Sequence, residues 1–301
     1  MDLSRVEWPT VGLIVACTAL WMLSTYLAGV LGWWPFLIVA ILCVTLHSSC
    51  QHEALHGHPT RNRLVNEALV FIAPGIFFPY RRFRATHLKH HHDEWLTDPY
   101  EDPETNFMTK ADWDRLPPLF ALILRANNTL AGRLTFGPAF GVGRFYWADA
   151  KAIVSGDRRI MLAWLLHAAG LAITLMWVVG VAHLNPLLYL FAVAYPGFSL
   201  LSLRTFAEHR AEQMHQKRTC IIEDRGLFGL LYLNNNLHVV HHANPTTPWY
   251  KLPALYQSRR GEFLETNGGY FYPNYWAVFR AFAFHPKAEV PHPFLRRDAK
   301  P

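Results

Sequence analysis

The sequence WPTVGLIVACTALWMLSTYLAGVLGWWPFLIVAILCVTLHSSCQ, residues 8–51, contains no Asp, Glu, Lys or Arg. A second charge-free stretch runs from Ile160 to Leu203, and it is flanked by Arg159 and Arg204. One helix that crosses the hydrocarbon core of a membrane needs about 20 consecutive apolar residues. Each stretch is therefore long enough for two crossings connected by a short turn.

Turn-forming residues interrupt each charge-free stretch near its middle. Gly29, Gly32 and Pro35 break the first stretch, and the sequence His183-Leu-Asn-Pro186 breaks the second. A proline near the start of the returning helix costs little, because the first N–H groups of a helix have no intrahelical acceptor. The sequence thus predicts four transmembrane helices in two hairpins. These helices are expected at about 10–30, 34–52, 160–181 and 185–206.

The distribution of Lys and Arg predicts how the chain is oriented. The 28 basic residues lie before residue 8, in the segment 53–159 and after residue 203, and neither hairpin turn contains one. Cytoplasmic loops of membrane proteins carry an excess of Lys and Arg. The sequence therefore predicts a multi-pass integral membrane protein with both termini and the segments 53–159 and 207–301 in the cytoplasm. In a bacterium, this membrane would be the inner membrane.

Three clusters of histidine lie at or beyond the cytoplasmic ends of these helices. They read His52-Glu-Ala-Leu-His56, His87-Leu-Lys-His90-His91 and His238-Val-Val-His241-His242. Residues i and i+4, or i, i+3 and i+4, share one face of a helix, so each cluster directs its imidazoles to one side. Eight imidazoles at this spacing exceed the needs of one ordinary metal site and indicate two metal ions. Imidazole binds iron, copper, zinc and nickel, so the ligand type alone does not identify the metal.

The whole pattern resembles the membrane-bound fatty acid desaturases and their hydroxylase and ketolase relatives. The resemblance rests on the order of the three clusters, the two apolar hairpins and the Asp-Pro run after the second cluster. It also includes the segment Arg204-Thr-Phe-Ala-Glu-His209-Arg210. It implies an all-α integral membrane protein, a single domain over residues 1–301, whose cytoplasmic helical cap carries a histidine-rich di-iron site.

The resemblance implies nine histidine ligands for two non-haem iron ions. These ligands would be His52, His56, His87, His90, His91, His209, His238, His241 and His242. The run His90-His91-His92 also permits a register in which His92 replaces His90, and Asn234 is a further candidate ligand. Relatives usually have Asp where this chain has Glu53. Nearby carboxylates are candidates to accept hydrogen bonds from the ligand imidazoles, and they are Glu53, Asp98, Asp102 and Glu208.

The activity that the resemblance implies is O2-dependent desaturation of a fatty acyl or lipid chain. Two irons, supplied with two electrons, activate O2 to remove hydrogen from an unactivated C–H bond. The sequence has no Cys-X-X-Cys pair and no GxGxxG motif opening a βαβ unit, so it lacks the usual signatures of an internal electron carrier. The expected partners are therefore the lipid substrate, O2, membrane lipid and a separate electron donor, such as ferredoxin with its reductase. No feature indicates nucleic acid.

Two other functions fit parts of the sequence. A hydroxylase or ketolase of the same superfamily would act on a lipid, a carotenoid or a small amphiphile, and the histidine pattern does not separate it from a desaturase. A membrane zinc protease would use His52-Glu53-X-X-His56 as its zinc motif, with Glu53 as the base. The protease hypothesis leaves the other six cluster histidines without a role.

Overall fold

The structure is a computed structural model that describes residues 6–295. The described chain is mostly helical. Its α-helices are α1 (Trp8–Tyr26), α2 (Ala28–Leu31), α3 (Trp33–Leu55), α4 (Arg63–Leu69), α5 (Tyr80–His90), α6 (Lys110–Asp114), α7 (Pro118–Asn127), α8 (Leu130–Thr135), α9 (Gly137–Val154), α10 (Arg158–Leu175), α11 (Pro186–Tyr189), α12 (Tyr195–Glu208), α13 (Leu227–Leu231), α14 (His238–Ala243), α15 (Leu252–Ser258), α16 (Arg260–Thr266) and α17 (Tyr275–Phe282). Two short strands, β1 (Ile221–Ile222) and β2 (Phe271–Tyr272), pair in parallel.

Four helical segments are long and apolar enough to cross a membrane, which agrees with the predicted number. They are Trp8–Tyr26, Trp33–Leu55, Arg158–Val181 and Pro186–Glu208. The last two contain π-helical turns, at Met176–Val181 and Leu190–Ala194. The arrangement of these helices as membrane hairpins, with a cytoplasmic cap, stays a prediction.

The contacts of the chain divide it into two compact units. The first unit contains the chain up to Arg84 and the segment Pro138–Leu201. The second unit contains Ala85–Gly137 and the described residues from Ser202 onward. The expected single domain over residues 1–301 stays a prediction.

In the first unit, polar groups inside the apolar helix core are hydrogen-bonded to one another. The indole N–H of Trp21 donates to the Tyr189 hydroxyl at 2.9 Å, and this hydroxyl donates to the Pro74 carbonyl at 2.7 Å. An unsatisfied polar group in an apolar interior costs free energy, so these bonds favour one packing of the helices. α12 lies close to α3 at Gly197, where a Cβ atom would lie 2.5 Å from Val44 Cγ1.

In the second unit, the strand pair positions the short helix α14. The Ile222 N–H donates to the Asn236 carbonyl at 2.9 Å, and the Asn236 side-chain amide donates to the Ile222 carbonyl at 2.6 Å. Leu233 and Asn234 have φ angles of 51° and 58°, so the chain turns sharply before α14 begins. The third histidine cluster is therefore tied to β1 by backbone and side-chain hydrogen bonds.

Candidate metal centre

All three histidine clusters have the helical geometry that their spacing predicts. His52 lies in the last turn of α3, and His56 follows this helix with its ring centroid 4.8 Å from that of His52. α5 ends with the second cluster, and the His91 N–H still donates to the His87 carbonyl at 3.1 Å. The third cluster occupies α14. Each cluster therefore presents its imidazoles on one side of its own helix.

Four histidines in the second unit form one compact group of potential ligand atoms. The group consists of His90, His209, His238 and His242, whose ligand nitrogens lie within 4.8 Å of one another. The Nε2 atom of His209 lies 3.0 Å from the Nε2 atoms of both His90 and His238. One central imidazole nitrogen is thus flanked by two others.

A second group in the same unit repeats this arrangement with His87, His91 and His241. The Nε2 atom of His91 lies 3.1 Å from that of His87 and 3.2 Å from that of His241. The two groups adjoin, because the rings of His91 and His242 stack with centroids 4.2 Å apart. The second unit alone therefore brings together seven of the nine histidines that the sequence singled out.

Four of these rings are oriented by hydrogen bonds at Nδ1, which leaves the other ring nitrogen, Nε2, directed into the histidine groups. Carboxylates contact three of the rings: Asp102 lies 2.9 Å from His90 Nδ1, Asp93 lies 2.9 Å from His242 Nδ1, and Glu104 lies 3.2 Å from His87 Nδ1. The fourth ring, that of His238, has the Asn235 side-chain oxygen 3.1 Å from its Nδ1 atom. An imidazole that donates from Nδ1 has its lone pair on Nε2, which is the form that binds a metal through Nε2.

The hydrogen-bonding pattern of the first group leaves buried nitrogens unsatisfied without a cation. When all four imidazoles are neutral and His90 and His238 donate from Nδ1, both Nε2 lone pairs face His209 Nε2, which carries one proton at most. His242 Nε2 is buried and has no hydrogen-bond partner. Ligand nitrogens 2.0–2.1 Å from a metal are about 2.8–3.4 Å apart in octahedral or tetrahedral geometry. The residues therefore fit a metal ion.

The pKa values of three of these four imidazoles favour metal binding. Burial, reinforced by neighbouring imidazoles, lowers the pKa of His209 and of His238 well below the ordinary value. Burial lowers the pKa of His242 to about 4, although Asp93 opposes the shift. For His90, burial is outweighed by the carboxylates of Glu104 and Asp102, which raise its pKa to about 9. Three imidazoles are thus neutral at pH 7, and His90 releases a proton when a metal binds.

The two alternative ligand candidates, His92 and Asn234, lie outside the two histidine groups of the second unit. His92 is exposed, and its ring lies 5.0 Å from that of Trp95, whereas His90 lies inside the first group. The Asn234 side-chain amide donates to the Trp249 carbonyl at 3.0 Å, and it is the next residue, Asn235, that contacts a cluster histidine.

The predicted carboxylate partners are only partly correct. Asp102 contacts His90 as expected, but Asp98 instead accepts hydrogen bonds from the backbone N–H groups of Tyr100 and Glu101. Glu208 lies 3.6 Å from His238 Nδ1, beyond hydrogen-bonding distance. Glu53 lies 4.0 Å from His52 Nδ1, and its role as a partner stays a prediction. The sequence interpretation missed three partners, namely Asp93, Glu104 and Asn235. Asp93 and Glu104 follow the second cluster in a segment rich in acidic residues. This acidic segment was the feature of the sequence that could have identified them as partners.

A family model described as Fatty acid desaturase matches residues 28–274. The matched segment contains all three histidine clusters and His209. The comparison with curated proteins found no similar sequence.

Proposed function

We propose that this chain, which belongs to the fatty acid desaturase family, is a di-iron enzyme. It would use O2 to introduce a double bond into a fatty acyl or lipid chain. The observation that carries the proposal is the pair of imidazole groups in the second unit. In each group, one histidine Nε2 atom lies 3.0–3.2 Å from the Nε2 atoms of two others. Two adjoining nitrogen-rich groups suit two metal ions better than one.

The proposed iron ligands follow these groups. His90, His209, His238 and His242 would hold one ion, and His87, His91 and His241 would contribute to the other. His52 and His56 complete the proposed set on the strength of the sequence pattern. When bound, the two irons supply the chemistry that removes hydrogen from an unactivated carbon.

The protein's own residues orient the ligands and exclude water. Asp102, Asp93 and Glu104 accept hydrogen bonds at Nδ1, which fixes the imidazole rings and increases the basicity of Nε2. His87, His238 and His241 are each at most 2% exposed, so little bulk water reaches these nitrogens. A site that excludes water protects reactive intermediates from side reactions.

Electrons for the proposed reaction come from a separate protein, such as a ferredoxin with its reductase. The sequence contains none of the usual motifs for an internal flavin, nicotinamide or iron–sulfur carrier. The proposed active site faces the cytoplasm, where such a donor is available, and the substrate enters from the membrane. This location rests on the distribution of Lys and Arg in the sequence.

Lipid profiling of cells that express the chain would test the proposed function. With air, we expect a lipid that has gained one double bond and lost two hydrogen atoms. Cells without O2, and cells that express His238→Ala, should lack this product. His92→Ala is the matched control and should still form it, because His92 is exposed and outside the histidine groups. A product with one added oxygen atom would indicate hydroxylation instead, and an unchanged lipid profile would contradict both activities.

A further inference from the structure

Thr97, in the turn that follows the second histidine cluster, has a backbone conformation that β-branched residues rarely adopt. Its φ angle is 68°, in the left-handed region, where the Cβ atom crowds the following carbonyl oxygen. A β-branched residue at such an angle is an outlier among folded proteins. A conformation of this kind persists only where the surrounding structure holds it. Specific contacts must therefore keep Thr97 in place, and one of them is the Thr105 hydroxyl, which donates to its carbonyl at 2.9 Å.

Two hydrogen bonds connect Thr97 to a proposed metal ligand. The Thr97 N–H donates to Asp102 Oδ2 at 2.9 Å, and Asp102 Oδ1 lies 2.9 Å from His90 Nδ1. The Glu104 N–H donates to the same Oδ1 atom at 2.9 Å. Thr97 thus fixes one oxygen of the carboxylate whose other oxygen contacts the ligand ring. If Thr97 relaxed to a negative φ, its N–H would turn away from Asp102.

His292 holds the side chain of Thr97 from a distant part of the sequence. Its Nε2 atom lies 3.0 Å from Thr97 Oγ1, and both residues are buried. The Phe294 N–H donates to His292 Nδ1 at 3.2 Å, so the neutral ring carries its proton on Nε2 and donates it to Thr97. Burial and the nearby Arg218 lower the pKa of His292, against the opposing effect of Asp98, which keeps this ring neutral at pH 7.

The segment 290–294, which carries His292, has its own contacts with the chain after the second histidine cluster. The Met108 N–H donates to the Val290 carbonyl at 3.0 Å, and the His292 N–H donates to the Met108 carbonyl at 2.9 Å. The His292 ring also packs edge to face against Phe107, with ring centroids 5.2 Å apart. These contacts fix His292 without involving Thr97. The imidazole is therefore a rigid support for the Thr97 side chain.

We propose that His292 is a positioning residue for the metal centre, which acts through Thr97 to keep Asp102 hydrogen-bonded to His90. This inference rests on the proposed function in that His90 is taken as an iron ligand. An imidazole whose Nδ1–H is bonded to a carboxylate has a fixed orientation and a more basic Nε2 atom. Without the donor on His292, Thr97 leaves the left-handed region, and the Asp102 carboxylate loses the N–H that fixes its orientation.

The iron affinity of the full-length protein, measured by competition with a chelator, tests this role. His292→Phe keeps a ring beside Phe107 but removes the donor, and it should weaken iron binding several-fold. Thr97→Val removes the acceptor instead and should weaken binding to a similar extent. His292→Gln keeps an N–H donor near the position of Nε2 and should restore most of the affinity. His285→Phe alters an exposed histidine nearby in the sequence and is the matched control, with unchanged affinity.

Thr97→Gly separates positioning from a general loss of structure. Glycine adopts a positive φ readily and retains the backbone N–H, so Thr97→Gly should bind iron almost as tightly as the unmodified protein. In this background, His292→Phe should cost little further affinity. An equal loss in both backgrounds would overturn the proposal, because His292 would then act independently of Thr97. Full iron affinity in both His292→Phe and Thr97→Val would overturn it as well.

A measurement on metal-free protein keeps this test separate from the proposed function. With isotope-labelled histidine, NMR in detergent micelles would follow exchange of the His90 Nδ1 proton with water, and His90→Ala would identify its signal. We expect His292→Phe to accelerate this exchange several-fold and His285→Phe to leave it unchanged. An unchanged rate in His292→Phe would overturn the proposal even if iron binds. Failure of the unmodified protein to bind iron would contradict the di-iron centre, whereas accelerated exchange would still support the action of His292 on His90.

Discussion

Asp102 is a buried carboxylate whose charge acts directly on a proposed ligand. Its carboxylate lies 2.9 Å from His90 Nδ1, and both side chains are buried. Replacing Asp102 with Asn removes the charge and keeps the side-chain size. Partners of this kind commonly change metal affinity 10- to 100-fold, and we expect Asp102→Asn to weaken iron binding by about that factor. Competition with an iron chelator would measure the affinity.

Asp98→Asn is the matched control for this measurement. Asp98 lies in the same acidic segment, but its carboxylate accepts hydrogen bonds from the backbone N–H groups of Tyr100 and Glu101. Its replacement should leave iron affinity almost unchanged. Equal affinities of the two variants would show that Asp102 does not act on a metal ligand.

Lys287 is a second residue that we expect to position a ligand. Its buried Nζ atom donates to the carbonyls of Phe206 and His209, the latter at 2.6 Å. Without it, these carbonyls lose their side-chain donor, and a buried polar group without its partner costs about 1–3 kcal/mol. Lys287→Met should therefore lower thermal stability and reduce the iron content from two ions towards one. The exposed residue Lys251 provides the control, as Lys251→Met should retain both ions.

The histidines could be predicted from the sequence, but most of their hydrogen-bond partners could not. The spacing of His87, His90 and His91 follows directly from helical periodicity, which depends on the local sequence alone. Asp93, Glu104 and Asn235 do not lie in helices of eight or more residues. Outside such helices, the periodicity of the sequence does not indicate which residues share a face. Which of several neighbouring Asp, Glu or Asn residues contacts an imidazole depends on how the turns fold.

At the scale of elements, the contact of α3 with α12 depends on the absence of a side chain at Gly197. An added Cβ atom would lie 2.5 Å from Val44 Cγ1 and 2.9 Å from Val44 Cβ. Overpacking of this kind typically costs about 1–3 kcal/mol. We expect Gly197→Ala to lower the thermal unfolding temperature in detergent. The double variant with Val44→Ala should recover part of the loss.

Gly12→Ala is the control for this helix contact. A Cβ atom at Gly12 would meet nothing within 4 Å, so the substitution should preserve or raise the unfolding temperature, because alanine favours helix. If Gly197→Ala were as stable as Gly12→Ala, the close approach of α3 and α12 would not exist in the folded protein.

The long helices were predictable, whereas the small elements of the second unit were not. Charge-free stretches specify membrane helices because a charge in the bilayer core is costly, and the four spans agree with this rule. β1 and β2 contain two residues each, too few for an alternating pattern to appear. Their pairing joins residues about fifty positions apart along the chain, which single-sequence periodicity does not reveal.

At the scale of the whole molecule, the proposed function requires a defined topology. Single cysteines at Val30 and Pro186, near the expected outer turns, should react with a membrane-impermeant thiol reagent on intact cells. Cysteines at Lys110 and Ser258 should react only after the membrane is opened. All four positions are exposed in the structure. Labelling of Lys110→Cys on intact cells would place the second histidine cluster on the side opposite to the expected electron donor.

The amount and kind of metal per chain most directly test whether the histidine groups form a di-iron centre. Protein would be purified without added metal, assayed for lipid oxidation with a reduced electron carrier, and analysed for iron, zinc, copper and nickel by mass spectrometry. We expect close to two iron atoms per chain in active protein, and about one in His238→Ala. An active preparation with a single tightly bound metal ion, or with two ions other than iron, would contradict the di-iron centre.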